Sequence, residues 1–157
     1  MQANERVNVG VAEMAPVIKE SLAKGNDVRL LVRGVSMHPL LQNERDFVVI
    51  SPATSVKKRD IAFFERENGI CVLHRVVKIR KNGFYCAGDN QVTVEGPIGL
   101  DRLLGVVTVL VRNGKELSVK NAKYRLYSFV WTALRPIRRP VVSVLRFFKR
   151  LIKRKGK

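Results

Sequence analysis

Short runs rich in Val, Ile and Phe recur at residues 28–32, 47–50, 61–64, 70–79, 84–87 and 103–111, each bounded by Gly, Pro, Asn or Asp. Apolar runs of strand length with turn residues between them predict a β domain with many turns. There is no alternation of strand and helix patterns, which excludes a doubly wound α/β fold. Ahead of these runs, Met14, Val17, Ile18 and Leu22 repeat at helical spacing over residues 14–24, with Pro16 in the first turn and Gly25 as the stop. The 157 residues suit one such domain, and 46% hydrophobic content is enough for a packed core. No stretch approaches the roughly 18–20 uncharged apolar residues of a membrane span. The N-terminus lacks the basic and apolar regions of a secretory signal. The expected location is the cytoplasm, or the cytoplasmic face of the cell membrane as a peripheral protein.

The net charge of +17 is unevenly spread. Residues 1–122 hold 18 basic and 13 acidic residues, whereas residues 123–157 hold 12 basic residues and no acidic one. The chain therefore divides into a helical segment at 1–26, a β domain at 27–122 and a basic tail at 123–157. Within the tail, Tyr124, Tyr127, Trp131 and Leu134 fall on one helical stripe. Beyond Pro136, Ile137, Val141, Leu145, Phe148 and Ile152 share a face, with Arg139, Arg146, Lys149, Arg150, Lys153 and Arg154 opposite. Basic residues opposite an apolar face with aromatics describe a helix lying on an anionic membrane surface. The competing reading packs that apolar face on the β domain. No nucleic-acid recognition motif accompanies the charge, so specific nucleic-acid binding is not expected.

Ser36, His74 and Asp89 supply a hydroxyl, a base that works near neutral pH and an acid to orient it. The dipeptide Asn82-Gly83, between two apolar runs, predicts a tight hairpin. A two-residue turn there pairs Lys81 with Phe84 and His74 with Gln91, which puts Asp89 diagonal to His74 on one face. Val72, His74, Val76, Tyr85 and Asp89 then form a site face, and Leu73, Val77, Ile79, Phe84 and Cys86 a core face. A one-residue slip would move Asp89 to the wrong face. In this register Cys86 lies opposite Ile79, too far from Cys71 for a disulfide. Two cysteines are also too few for a Cys-rich zinc site, and no cofactor or metal is expected.

These residues sit in a series of boxes. Gly34-Val35-Ser36-Met37-His38-Pro39-Leu40-Leu41 comes first, then Lys58-Arg59-Asp60-Ile61-Ala62-Phe63, Leu73-His74-Arg75-Val76-Val77, Gly88-Asp89-Asn90 and Leu104-Gly105-Val106-Val107. In this order they resemble the signal peptidase and LexA-type serine peptidase superfamily over roughly residues 28–112. His74, where many members have Lys, is similar to the His-base branch of archaeal and endoplasmic-reticulum-type signal peptidases. The resemblance implies a coiled β-sheet forming a partly open barrel. It also implies a Ser36 nucleophile with His74 as base, and a peptide or preprotein substrate cleaved at a leader or signal-like segment. By the same resemblance the acid that completes the site is Asp89 or Glu95, with the hairpin favouring Asp89. Gly34, Val35, Met37 and Pro39 would flank the bound substrate. Gly34 stands where many relatives carry Ser, and Arg59 where they carry Gly. The other classes compatible with the boxes are a LexA-like regulator and an inactive binding module, using the basic tail to hold nucleic acid or lipid.

Overall fold

A computed structural model describes residues 11–137. Helix α1 (Val11–Ala23) leads into strands β1 (Val28–Leu31), β2 (Phe47–Pro52), β3 (Ile61–Glu65), β4 (Cys71–Arg80), β5 (Gly83–Ala87), β6 (Glu95–Ile98), β7 (Leu103–Arg112) and β8 (Lys115–Ser118). Helix α2 (Ala122–Ala133) closes the described chain. The protein is mainly β. Its eight strands form one antiparallel, unclosed sheet in the order β1-β2-β7-β3-β4-β5-β6, with β8 paired to β7.

The central strand β3 shows why the apolar runs read as continuous. Ile61 and Phe63 pack in one core cluster with Ile18 and Leu22 of α1, Ile50 and Leu110. Ala62 and Phe64 point the other way, into a second cluster with Val76, Phe84, Cys86 and Ile98. Both faces of this strand are covered, so the usual alternation of apolar and polar residues disappears. Helix α1 begins at Val11, earlier than its periodicity suggested, so Pro16 lies inside it rather than in its first turn. Among the described residues no helix is long and apolar enough to cross a membrane.

Two strands escape the sequence reading. β6 contains Gly96 and Pro97, residues that argue against a strand, yet it is the outermost strand beyond β5, where Pro is tolerated. β8 is short and largely polar, and pairs with β7 through a tight turn at Asn113-Gly114.

The β4–β5 hairpin departs from its expected register. Arg80 pairs with Gly83, so the turn is Lys81-Asn82, not Asn82-Gly83. A side chain at Gly83 would place its Cβ 2.3 Å from the Ile98 carbonyl oxygen, so the crossing of β6 requires glycine inside the strand. A bulge between Val76 and Lys78 then shifts the register by one more residue, and Val76 faces Cys86. Val76 therefore joins Phe84 and Cys86 in the core, whereas Ile79 is 46% exposed. Both cysteines are free, and Cys86 lies opposite Val76 rather than Ile79.

Helix α2 turns Tyr124 and Ser128 inward, so residues 122–133 take the packed alternative. The apolar and basic faces assigned to residues 141–154 lie outside the described residues.

Candidate active site

Ser36 lies in the turns that follow β1. Met37, Leu40 and Leu41 are buried and pin this segment to the core, while Gly34, Val35, His38 and Pro39 are exposed. The Gly88-Asp89-Asn90 turn grips the segment from the other side. Asn90 donates its backbone N–H to the Ser36 carbonyl at 2.8 Å and its side-chain amide to the Val35 carbonyl at 3.2 Å. A Cβ at Gly88 would come within 2.5 Å of the Ser36 carbonyl oxygen and 3.0 Å of the Ser36 Cβ. Glycine is required there by this close approach of two backbones.

His74 lies on β4, opposite Ala62 of β3, and is buried with its ring edge-on to Phe64. Its Nδ1 hydrogen-bonds the Glu95 Oε1. A neutral imidazole that donates from Nδ1 carries its lone pair on Nε2, the nitrogen left to accept a proton from a hydroxyl. Arg66 holds the same carboxylate in a fork, Nε to Oε2 at 2.7 Å and an Nη to Oε1 at 3.0 Å. Burial pushes the His74 pKa below its ordinary value, and Arg66 adds to this, outweighing the raising effect of Glu95. Burial alone would raise the Glu95 carboxyl, but its bonds from Arg66 and His74 hold it below the ordinary range. The pair at neutral pH is a neutral imidazole beside a carboxylate.

The hydrogen-bond partner of His74 is Glu95 and not Asp89, contrary to the expectation from the hairpin, and Asp89 pairs elsewhere. It is buried against Arg75, whose Nε and Nη atoms meet its two oxygens at 2.7 Å each. The physical reason is register. Moving the turn back by one residue shifts every cross-strand partner by two, and the bulge shifts it by one more, an odd total that places Asp89 on the face of Arg75 rather than of His74. Arg75 also donates to the Arg59 carbonyl at 3.0 Å, to the Tyr124 hydroxyl at 3.2 Å and to the Ser128 hydroxyl. Burial opposes the charge on Arg75, but Asp89 and Tyr124 outweigh it and hold the guanidinium charged. Trp131 of α2 donates to the Asp89 carbonyl at 3.3 Å. The Arg75–Asp89 pair thus ties β4, the 88–90 turn and α2 together, and through Asn90 it holds Ser36.

Ser36 and His74 line one cleft of about 190 Å³, with Leu30, Val32, Met37 and Leu73 among its walls. Among the described residues Ser36 supplies the only hydroxyl on these walls and His74 the only imidazole. Cys71 also lines the cleft, but burial raises its thiol pKa, so it stays protonated and weakly nucleophilic. Two strand edges face this space. Among the described residues β1 pairs only with β2, and the β4–β5 ladder begins at Arg75, leaving residues 71–74 paired on the β3 side alone. Among the described residues no group of three His, Cys, Asp or Glu is placed to hold a metal ion.

Arg66 is the site residue that sequence reasoning missed. It follows β3 in a polar turn, and only the placement of β6 beside β5 brings Glu95 to it. Comparison with protein-family models, with curated proteins and with solved structures gave no match.

Proposed function

We propose that this protein is a serine endopeptidase of the signal peptidase-like type, with Ser36 as nucleophile, His74 as general base and Glu95 as the acid that orients it. The observation that carries the reading is the Glu95–His74 hydrogen bond at the wall of the cleft that Ser36 also lines. Buried imidazoles are commonly satisfied by a carboxylate for structural reasons. Here the imidazole is neutral and shares an apolar cleft with a hydroxyl, which supports acyl transfer.

In the proposed reaction an extended peptide adds as a strand between the open edge of β1 and residues 71–74. The Ser36 Oγ attacks the scissile carbonyl carbon as His74 Nε2 takes the hydroxyl proton. Glu95 stabilises the resulting imidazolium, and the backbone N–H of Ser36 donates to the oxyanion. The imidazolium then protonates the leaving amine, and an acyl ester remains on Ser36. Water, activated by the same imidazole, hydrolyses the ester and restores the serine. The apolar cleft walls suit small apolar side chains before the cut, as in the leader or signal-like segments of exported peptides.

Labelling of the full chain with a fluorophosphonate probe tests the reading. The expected result is stoichiometric labelling that Ser36→Ala abolishes. No labelling of the parent chain, or equal labelling of the Ser36→Ala variant, would remove Ser36 from the mechanism and leave a binding module.

A further inference from the structure

Helix α2 carries two apolar faces. Its inner face is occupied: Tyr124 and Ser128 are buried against Arg75, and Trp131 meets the 88–90 turn. Opposite that face a second stripe is open to solvent. Leu126, Phe129 and Val130 on the helix are 65%, 56% and 43% exposed, and Leu134 and Ile137 just beyond it are 43% and 57% exposed. Their spacing of three and four residues keeps Leu126, Phe129 and Val130 on one side, turned away from Tyr124, with Ile137 continuing that side and Leu134 at its edge toward Tyr127. The guanidinium of Arg59 sits 5.5 Å from the Phe129 ring, and Lys123 and Arg125 flank the stripe as exposed cations. A contiguous open apolar stripe rimmed by charge marks an interaction surface.

We infer that the outer face of α2 docks on an anionic lipid bilayer, with Leu126, Phe129, Val130, Leu134 and Ile137 entering the headgroup region. Charge selects the bilayer over a second copy of the chain. Residues 123–157 carry 12 Lys and Arg and no acidic residue, so stacking two such stripes would bring like charges together. A nucleic acid would satisfy the cations but would leave five large apolar side chains in water. An anionic bilayer satisfies both, because the apolar face sinks about 5–10 Å while Lys and Arg meet the headgroups.

The docking face is mechanically joined to the candidate site. Trp131 and Arg135 hold the backbone carbonyls of Asp89, Gln91, Val92 and Thr93, and Asn90 in that turn holds Ser36. A bilayer under α2 therefore fixes the orientation of the cleft to the membrane plane. The inference does not depend on peptidase chemistry.

Deleting residues 123–157 would strip Arg75 of Tyr124 and Ser128, so the test replaces outer-face side chains instead. The triple variant Leu126→Ser/Phe129→Ser/Val130→Ser changes no charge and touches no inner-face contact. Full chain and variant are co-sedimented with vesicles of phosphatidylcholine alone and of phosphatidylcholine with 30% phosphatidylglycerol, with thermal unfolding as the check that both are folded. The full chain is expected to bind the anionic vesicles, and the triple variant at least tenfold more weakly at an unchanged melting temperature. Failure of the full chain to bind anionic vesicles, or binding by the variant within twofold of it, overturns the inference. So does a dimer in sedimentation velocity that the variant dissolves, because the stripe would then be a contact between copies. Fluorophosphonate labelling of Ser36 in the same samples reports on the peptidase reading separately.

Discussion

Glu95 accepts a hydrogen bond from Nδ1 of His74, while Asp89, on the neighbouring turn, is held by both arms of Arg75. The two carboxylates thus have different work, and substitution should separate them. Glu95→Gln keeps the shape but removes the charge that stabilises an imidazolium. The expected result is a drop of about 10²- to 10⁴-fold in the second-order rate of fluorophosphonate labelling, with little change in melting temperature. A rate within threefold of the parent would exclude Glu95 from the reaction.

Asp89 and Arg75 form a buried pair, and breaking it leaves an uncompensated charge. Arg75→Met is expected to cost about 3–5 kcal/mol of folding stability. Denaturant unfolding measures this directly. Replacing both partners, Arg75→Met with Asp89→Leu, should recover a large part of the loss, because no charge is then stranded. A single variant that unfolds like the parent would mean the pair carries no structural load.

Burial lowers the His74 pKa, so the native state resists protonation of this ring when the unfolded chain, near pH 6.5, does not. Between the native pKa and about 6.5 the unfolded state binds more protons, so stability contributed at this site rises with pH and falls on acidification. The Glu95 carboxyl is also held low, so its contribution is present above an unfolded value of about 4.3 and is lost as pH falls through its native pKa. The acidic limb of the labelling rate is therefore expected below pH 6.5. Arg66→Gln removes a cation that disfavours the imidazolium, and the limb should move to higher pH, with Arg66→Lys in between. A two-dimensional nitrogen NMR titration of His74, in a chain whose other histidine is replaced by His38→Gln, reads the same shift without any turnover. An unmoved His74 pKa would show that Arg66 does not act through this site.

Gly88→Ala adds one methyl group 2.5 Å from the Ser36 carbonyl oxygen. Either the 88–90 turn or the Ser36 segment must yield. Displacement of a nucleophile by about 1 Å costs on the order of 10²-fold in rate. Labelling is expected to fall by that order with a smaller loss of stability. Unchanged labelling kinetics would show that the close approach does not position Ser36.

Much of this protein is local in origin and was readable along the chain. The strand runs, the first helix and the helical return at residue 123 follow from spacing and turn chemistry, because those signals lie within a few residues of one another. The choice between Asp89 and Glu95 was not local. It depended on whether the β4–β5 turn fell at Lys81-Asn82 or one residue later, on a bulge near Val77, and on β6 crossing at Gly83. Each of these shifts the register by whole residues, and with a side-chain period of two an odd total exchanges the faces. Arg66 and the outer stripe of α2 were hidden for a related reason. A cation in a polar turn and an apolar residue on a helix look alike whether they face a partner or water. Only the tertiary packing, by burying Tyr124 and Ser128 on Arg75 and laying β6 beside β5, decided which faces were left open.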